Sequence, residues 1–537
     1  MSRIARRRGL VLVLLTLAAM GETLRAQQPA GFAGLYRMFQ AGAEVGREQF
    51  RRSPGLAELS VVVPLLGLKL DSRTEFDSTG TFRRFEAQVY NAAGDSLRGS
   101  YTVTADGDTL RIVSMTQRGE SHAGTVPGRV AGVIPAQSVA VIALLARRFS
   151  RDTMVRMLPM GGDSTLPVTV LHRGDTAVVT LAGIEARTVT AGGGPGTIEV
   201  PVSRVRADLW DGRDSLPPLA GLRRPVPDYR APAGAPYTAT EVVIPIHPAA
   251  GDTFSLAGTL TLPAAARGPV PVVVTITGSG RQTRDEDLWP LLPTYRPFRE
   301  IAARLGAEGI GVLRLDDRGI GGSGGGEGTT ADYADDVRQV VAWLRHRPGV
   351  AARRIALLGH SEGGAIAPLV AAQDSGLAGI VLLAGPGKTG RAILVDQLRR
   401  PIETAPGLSD SARAAQLEGV PQAVEQIVRS SRWMRWFGDY DPLATARRVT
   451  VPVLILQGAL DRQVSAGQAD TLAAALRAAG NRDVTEKVYP GLNHLFLHTL
   501  GDGSPSEYPT LQDTKLPAQV LDDLAAWLRI KLTVPGH

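Results

Sequence analysis

One short segment of the chain combines a potential nucleophile with the small residues that would expose it. In "RIALLGHSEGGAIAP" (354–368), an apolar run leads into "GHSEG" and then returns to apolar residues. An apolar strand that ends in Gly-x-Ser-x-Gly and continues into a helix forms a sharp turn with the serine at its apex. Glycines are expected at both flanks because a Cβ there would collide with the neighbouring strand or helix. The spacing predicts that Ser361 is a nucleophile; the alternative is a packing turn of small residues.

A serine hydroxyl becomes nucleophilic when a base takes its proton, so a histidine is expected further along the chain. Of the eight histidines, two lie between the last strand-like segment, "VTEKVYP" (484–490), and the final residue of the chain. His494 lies in the loop directly after that segment, whereas His498 lies four residues further on. We therefore expect His494 to be the general base.

The base in turn needs a carboxylate that orients its ring. "VPVLILQGALDRQV" (451–464) places Asp461 in the turn after the preceding apolar strand. Asp470 falls within the next predicted helix and Asp483 lies ahead of the last strand, so neither has the expected placement. The predicted chain order is Ser361, Asp461, His494.

A tetrahedral intermediate also needs N–H donors aimed at its oxyanion. The first expected donor is the backbone N–H of Glu362, at the start of the helix that follows the serine. The second is expected from the glycine-rich loop "TITGSGRQTRDED" (275–287), with Ser279 N–H as the candidate and Gly280 as the runner-up. The alternative interpretation of this stretch is a flexible loop without a catalytic role.

These residues fall within a region where strands and helices alternate. From residue 238 to 533, apolar runs of five to seven residues are separated by amphipathic helices. Such alternation predicts an α/β fold, with a mostly parallel central sheet covered by helices on both faces. Residues 388–449 are helix-like without a comparable strand, which predicts a helical insert after the sixth strand of this domain.

The residues before this region have a different pattern. Residues 27–235 show β-branched and aromatic clusters between turn signals, which predicts a mainly β domain. "SVAVIALLARRF" is its clearest helix candidate, and a proline- and glycine-rich stretch before residue 238 suits a linker. Residues 1–26 contain a basic region, a short apolar run and a cleavage position after Ala26, as a secretory signal peptide does. The chain is therefore expected to be exported; the alternative is a retained anchor, although the run is shorter than the ~20 residues of a membrane span.

Charge and composition exclude several classes of partner. The formal net charge is +7, of which residues 1–26 carry +4 through five arginines and one glutamate, leaving about +3 for the rest. Such a balance does not predict a nucleic-acid partner. There is no cysteine, so disulfides, thiolate metal sites and a cysteine nucleophile are excluded. The glycines of "DDRGIGGSGGG" do not follow the first strand of a βαβ unit, so nucleotide binding is disfavoured. No metal or cofactor is expected.

Six motifs together resemble the α/β-hydrolase superfamily, and in particular its serine-aminopeptidase-like esterase branch. They are "TGSGRQTRDED", "LRLDDRGIGGSGG", "GHSEGG", "LLAGPG", "QGALDRQV" and "NHLF". The resemblance covers residues 238–533. It implies a serine hydrolase that acts on carboxylic esters, with peptidase or thioesterase activity in some relatives, and it implies that the insert 388–449 is a lid. Carboxylesterases with a β-rich N-terminal extension and a signal peptide are the nearest likeness.

The expected function is an exported, cofactor-free serine hydrolase of short to medium acyl esters. A serine aminopeptidase or dipeptidyl peptidase is the enzymatic alternative, in which Asp285, Glu286 and the Glu362 side chain recognise a free amine. A second alternative treats residues 27–235 as an envelope-binding module that carries an accessory hydrolase. The oligomeric state does not follow from the sequence. Three aromatic residues of the insert either line an acyl pocket or pack the insert on the sheet: Trp433, Trp436 and Phe437.

Overall fold

The computed structural model describes residues 32–533 apart from short internal stretches, so the predicted signal peptide lies outside the described residues. The described residues divide into two compact units, whose boundaries fall at Arg224/Pro225, Gln397/Leu398 and Gln426/Ile427. The first unit contains the residues before Pro225 and Leu398–Gln426. The domain limits at residues 235 and 238 remain predictions. The internal stretches that are not described are 41–42, 64–67, 92–95, 117–120, 136–137, 162–164, 182–183, 190–195, 201–204, 211–226, 250, 289–291, 293, 405–409, 430 and 500.

A large sheet forms the first unit, as its alternating β-branched pattern predicts. Its described strands are β1 (Phe32–Gln40), β2 (Ala43–Ser53), β3 (Leu56–Val63), β4 (Leu68–Phe76), β5 (Phe82–Asn91), β6 (Leu97–Asp106), β7 (Thr109–Thr116), β8 (Ser121–Pro127), β9 (Gly132–Ile134), β10 (Thr153–Pro159), β11 (Leu166–Arg173), β12 (Thr176–Leu181), β13 (Ile184–Val189), β14 (Ile198–Val200) and β15 (Val205–Leu209). The strand order is β8-β7-β6-β5-β4-β3-β2-β1-β15-β14-β13-β12-β11-β10-β9. Neighbours pair antiparallel except β9 with β10. Antiparallel pairing with one buried face explains the alternation.

The predicted helix "SVAVIALLARRF" forms α1 (Ala140–Arg148), which packs against strands of this sheet. Its N-terminus meets the fully buried carboxylate of Glu48 on β2. Glu48 Oε2 accepts hydrogen bonds of 2.7 Å from the N–H groups of Val139 and Ala140, and Oε1 accepts one from the Ser138 hydroxyl. A carboxylate suits this position because the first N–H groups of a helix have no partner within the helix.

The second unit contains the predicted alternation of strands and helices. Its elements outside the insert are β16 (Tyr237–Ile246), β17 (Phe254–Pro263), β18 (Val270–Ile276), α2 (Pro297–Ala307), β19 (Gly311–Leu315), α3 (Thr330–Arg345), β20 (Val350–His360), α4 (Gly363–Ala371), β21 (Gly379–Leu383), β22 (Val453–Gly458), α9 (Gly467–Ala478), β23 (Val484–Tyr489) and α10 (Ala518–Thr533). The sheet order is β16-β17-β19-β18-β20-β21-β22-β23. The strands β16, β17 and β19 pair antiparallel, and all other neighbours are parallel.

The two faces of this sheet are covered by different helices. Val272 and Val274 pack in a buried cluster with α3, α4 and α9, whereas Val273 packs in another with α2 and α10. Successive side chains of a strand point to opposite faces, and both faces are buried here. This explains why central strands such as β18, β21 and β22 are apolar runs, and it confirms the predicted α/β fold.

The segment between β21 and β22 is helical, as predicted for an insert after the sixth strand of this unit. Its helices are α5 (Gly390–Thr404), α6 (Asp410–Val428), α7 (Arg432–Asp439) and α8 (Pro442–Ala446). The Ser431 hydroxyl caps α7 by accepting the Met434 N–H, and Asp441 caps α8. Within the described ranges, no helix combines the length and apolarity needed to cross a membrane.

Replacement of Glu48 by alanine tests how the first unit is held together. Burial raises the pKa of Glu48 from 4.5 to about 7. The folded state therefore binds the proton more tightly than the unfolded chain. The contribution of this pKa difference to the free energy of unfolding is full below pH 4.5 and is lost as the pH rises through about 7. We expect Glu48→Ala to lower the free energy of unfolding by about 2 kcal/mol, with a larger loss near pH 5 than near pH 8.

Scanning calorimetry of the full chain measures this loss. Glu199→Ala, at an exposed position on β14, is the matched control and should change stability by less than about 0.5 kcal/mol. An equal effect of the two substitutions would contradict the capping role of Glu48.

Candidate active site

Ser361 lies at the sharp turn between β20 and α4, as the sequence predicts. Its φ angle is 52°, in the left-handed region that non-glycine residues rarely adopt. Its N–H donates to the Leu383 carbonyl at 2.9 Å, and its own carbonyl accepts the Gly364 N–H at 2.9 Å. These bonds hold the strained turn, and strain of this kind is common where a nucleophile is presented.

The glycines at the two flanks of the turn are required by close backbone packing. A methyl group at Gly359 would collide with the Gly363 carbonyl, and one at Gly363 would collide with the Ile276 carbonyl at the end of β18. The strand before Ser361 and the helix after it thus approach each other more closely than any other residue type would allow. This agrees with the expectation drawn from the Gly-x-Ser-x-Gly pattern.

The structure brings His494 and Asp461 together. The Nδ1 atom of His494 lies 2.8 Å from Oδ2 of Asp461, and both side chains are buried. Each residue follows the carboxyl end of a parallel strand, β23 for His494 and β22 for Asp461, as β20 leads to Ser361. The bond holds the imidazole with Nδ1 on the carboxylate, so Nε2 is not engaged by Asp461.

Asp461 is held in place by four donors. Besides His494, the side-chain amide of Gln457 donates to Oδ2, and the N–H groups of Gln463 and Val464 donate to Oδ1, each at 2.8 Å. So many donors fix the orientation of a carboxylate. The alternatives named from the sequence lie elsewhere: His498 is exposed, Asp470 is exposed on α9, and Asp483 pairs with Lys531.

The loop after β18 runs against the serine. A methyl group at Gly278 would lie 3.2 Å from Cβ of Ser361. Ser279 and Gly280 follow directly and are exposed, and no hydrogen bond among the described residues takes up the N–H of Ser279 or of Glu362. These N–H groups are therefore free to bind a substrate oxygen, although their role stays a prediction.

Asp285 and Glu286 are not placed to recognise a free substrate amine, as the peptidase alternative expected, and this is a correction. Asp285 is fully buried and pairs with Arg314 on β19, and its pKa is raised because burial outweighs that ion pair. Glu286 is 3% exposed and is bonded within the protein. Buried carboxylates that already have partners do not offer a free anionic group to a substrate amine. The buried contacts of Asp285 with Arg314 and of Glu286 with His360 instead hold the loop in place.

His360 is a site residue that the sequence analysis did not single out. Its Nδ1 atom lies 2.9 Å from Oε1 of Glu286, which also accepts the Gly278 N–H at 2.6 Å. Its Nε2 atom lies 3.0 Å from the His494 carbonyl oxygen. Burial alone lowers the pKa of His360, but the Glu286 carboxylate and these hydrogen bonds raise it above its ordinary value. The only local signal was its place between the glycine and the serine of "GHSEG".

A second carboxyl group below the loop was also missed. Asp317 accepts the Thr277 hydroxyl at 2.6 Å and the Gln282 N–H at 2.8 Å. Burial raises its pKa to about 7, and the nearby charges of Glu286 and Glu362 act in the same direction.

Within the described residues, histidine and acidic side chains form no group of three or more that could hold a metal ion.

The Glu362 side chain is covered by one aromatic residue of the insert. Its Oε1 atom accepts hydrogen bonds of 2.7 Å from Nε1 of Trp433 on α7 and from the Thr330 hydroxyl, and the Ser279 hydroxyl also bonds this carboxylate. Burial raises the pKa of Glu362 despite these donors. The expectation that Glu362 is free to meet a substrate amine is therefore corrected.

The three aromatic residues of the insert do not share one position. Trp433 reaches Glu362 beside Ser361, and its ring stacks on Phe437 at 5.8 Å between centroids. Phe437 in turn packs against Gly390. Trp436 stacks on Tyr440 at 4.7 Å instead. The structure thus places Trp433 at the site and Phe437 behind it, while Trp436 packs within the insert.

A substitution at Gly278 tests the close approach of the loop to Ser361. In Gly278→Ala the new methyl group would lie 3.1 Å from Oε1 of Glu286 and 3.2 Å from Cβ of Ser361, so the loop must shift by a few tenths of an ångström. We expect hydrolytic kcat/KM to fall by about tenfold to a hundredfold with little change in Tm, because the shift displaces the proposed donor Ser279 N–H, whose complete loss would cost about 3 kcal/mol. Gly268→Ala, at a position with open space around it, is the control and should behave as wild type.

The interaction between Glu286 and His360 makes stability depend on pH. Because the folded pKa of His360 is raised, the stabilisation is full below its ordinary value of 6.5 and is lost as the pH rises through the raised value. Glu286→Gln removes the attracting charge, so its loss of Tm relative to wild type should be larger near pH 6 than near pH 9. Glu327→Gln, at an exposed position, is the control. A loss that is independent of pH would contradict a protonated His360.

Two family models match parts of the second unit. The model "Serine aminopeptidase, S33" matches residues 293–416, which include Ser361. The model "Prolyl oligopeptidase family" matches residues 424–507, which include Asp461 and His494. The two matched segments thus cover the three predicted catalytic residues between them.

Two relatives with similar sequences are an esterase and a lipase. Esterase EstD of Thermotoga maritima is 28% identical over 287 residues, which are 51% of this chain and 65% of the esterase, so the match spans just under two thirds of that relative. The monoacylglycerol lipase of Mycolicibacterium smegmatis is 28% identical over 254 residues, 43% of this chain and 82% of the lipase. Among solved structures, the Pyrococcus furiosus esterase Pf2001 is 17% identical, with a TM-score of 0.37, and covers 57% of this chain and 98% of its own.

The observations on this chain agree with the two family matches and with the two similar sequences. The second unit has a mostly parallel sheet covered on both faces, a strained serine turn after β20, and a buried histidine–aspartate pair at the same edge. The second unit is therefore similar to the serine-hydrolase branch of the α/β-hydrolase superfamily.

Proposed function

We propose that this protein is a serine hydrolase that cleaves carboxylic esters through an acyl-enzyme. The observation that carries the proposal is the 2.8 Å hydrogen bond between His494 Nδ1 and Asp461 Oδ2, at the edge of the sheet that presents Ser361 in its strained turn. A serine, a histidine and an oriented carboxylate at one edge are what acyl transfer to a serine needs. Similarity to esterases and a lipase supports the choice of ester substrates.

In the proposed reaction, His494 Nε2 takes the proton of the Ser361 hydroxyl while Oγ attacks the ester carbonyl carbon. Asp461 stabilises the imidazolium that forms, and the N–H groups of Glu362 and Ser279 donate to the oxyanion. The carbonyl re-forms as the bond to the alcohol oxygen breaks, and the alcohol leaves with the proton from His494. Water then attacks the acyl-enzyme in the same way, which releases the carboxylic acid and restores Ser361.

A peptidase is the second candidate, because both matched family models are named for peptidases. An aminopeptidase needs a carboxylate that can reach the free amine of its substrate. The three carboxylates proposed for this from the sequence are buried and bonded within the protein, namely Asp285, Glu286 and Glu362. We therefore favour esters over amino-terminal peptides.

Two further parts of the proposal concern the rest of the chain. We propose that residues 1–26 direct export to the periplasm or beyond, because they have the basic and apolar regions of a secretory signal peptide. We propose that the insert acts as a lid, because Trp433 on α7 bonds to the carboxylate next to Ser361. The envelope-binding alternative for residues 27–235 predicts that this unit carries a ligand site of its own.

The first test compares wild type with Ser361→Ala, using a fluorophosphonate probe, short-chain p-nitrophenyl esters and aminoacyl amides. We expect labelling of wild type alone, and ester kcat/KM reduced by about ten-thousandfold or more in the variant, because it lacks the attacking oxygen. Turnover of the amides in preference to the esters would favour the peptidase.

The histidines provide a matched pair of variants. His494→Ala should lose activity as Ser361→Ala does, whereas His498→Ala, four residues away and exposed, should keep it. Ester hydrolysis by His494→Ala, or a wild type that the fluorophosphonate probe does not label, would contradict the proposed mechanism.

A further inference from the structure

The first unit contains a cavity that the proposed hydrolase reaction does not use. It lies between α1 and the sheet, and strands β2, β3 and β4 contribute to its walls. Most of the lining is apolar, yet two arginines open onto it, Arg52 from β2 and Arg148 from the end of α1. The apolar part of the lining includes Leu59, Val141, Leu144, Leu145 and Met157.

Both guanidinium groups lie close to one aromatic ring. The Cζ atoms of Arg52 and Arg148 are each 4.6 Å from the centroid of Phe76, at the end of β4. Arg148 also donates to the Ala131 carbonyl at 2.6 Å and to the Gly80 carbonyl at 2.5 Å, so its position is fixed. Arg52 is 7% exposed, and its Nη1 atom is buried without a hydrogen-bond partner among the described residues. The cavity thus holds an unsatisfied cationic donor.

Neither arginine forms an ion pair with a carboxylate in the described part of the chain. Burial lowers the pKa of both, and for Arg148 the charge of Arg52 adds to the effect and brings the pKa to about 10. Two neighbouring buried cations without an anion are costly to fold. An anion in the cavity would remove both the repulsion and the missing hydrogen bond.

The lining indicates which anion fits. A guanidinium group donates two parallel hydrogen bonds to a carboxylate, and Arg52 has its donors free for this. The aliphatic side chains around the two arginines suit an alkyl chain rather than a second polar group. We propose that this cavity is a binding site for an aliphatic carboxylic acid, with the carboxylate on Arg52 and Arg148 and the alkyl chain against the aliphatic side chains of α1 and β3.

Titration calorimetry of the full chain with octanoate tests the proposal. Octanol supplies the same chain without the charge, and acetate and inorganic phosphate supply an anion without the chain. We expect octanoate to bind and to raise Tm, with affinity at least about tenfold above that for each of the other three probes. Arg52→Met should weaken octanoate binding by about tenfold or more, since it removes a charge-assisted pair. Arg52→Lys should keep part of the affinity.

The variants also separate a binding role from a structural one. Arg52 makes no hydrogen bond among the described residues that Arg52→Met would break, so the Tm of the free variant should equal or exceed that of wild type. Arg51→Met, at the exposed neighbouring position of β2, is the matched control and should bind octanoate as wild type does. Undiminished binding in Arg52→Met, equal binding of acetate or phosphate, or no octanoate binding by wild type would each overturn the proposal. Binding at the hydrolase site would persist in Arg52→Met, so it is distinguished from binding at this cavity.

Discussion

One buried oxygen atom, Oε1 of Glu286, joins three segments of the candidate site that are distant in sequence. It accepts the Gly278 N–H and bonds to the His360 ring, whose other nitrogen bonds to the His494 carbonyl. The proposed oxyanion loop, the nucleophile turn and the histidine loop therefore belong to one hydrogen-bond network. In such a network a shift of one member leaves another buried polar group unsatisfied, so the three segments hold each other in place.

The surrounding charges show how such a network is kept buried. Arg284 of the loop bonds to Asp316, and Arg314 on β19 pairs with Asp285 of the loop, so each of these two buried arginines meets a carboxylate. Buried charges are tolerated when they are paired and hydrogen-bonded. The contrast with Arg52 and Arg148 in the first unit is direct, because those guanidinium groups pair with no carboxylate of the described chain. A bound anion is therefore expected beside the arginines of the first unit and not beside those near the loop.

The sequence predicted those features whose signals are local. Ser361, Asp461 and His494 each follow a predicted strand of the alternating region, so their placement at one edge of the sheet could be inferred from order alone. The partners of Asp285 and Glu286 could not be, since four adjacent charged residues look the same whether solvated or paired with β19 and β20. Similarly, helical spacing puts Trp433 and Phe437 on one face of α7, but the contact with Glu362 is tertiary. In the first unit, alternation predicted strands but not their order in the sheet.

The contact between Trp433 and Glu362 links the helical insert to the loops that form the candidate site. The serine turn, the loop after β18 and the histidine loop each follow directly on a strand of the sheet. Trp433 instead lies on α7, within the helical insert between β21 and β22. Residues of α7 can therefore vary without altering the geometry around Ser361, provided that the Glu362 carboxylate keeps a donor. For directed evolution towards a different acyl group, the insert is therefore the segment to randomise. The loops that follow β18, β20 and β23 should be left unchanged.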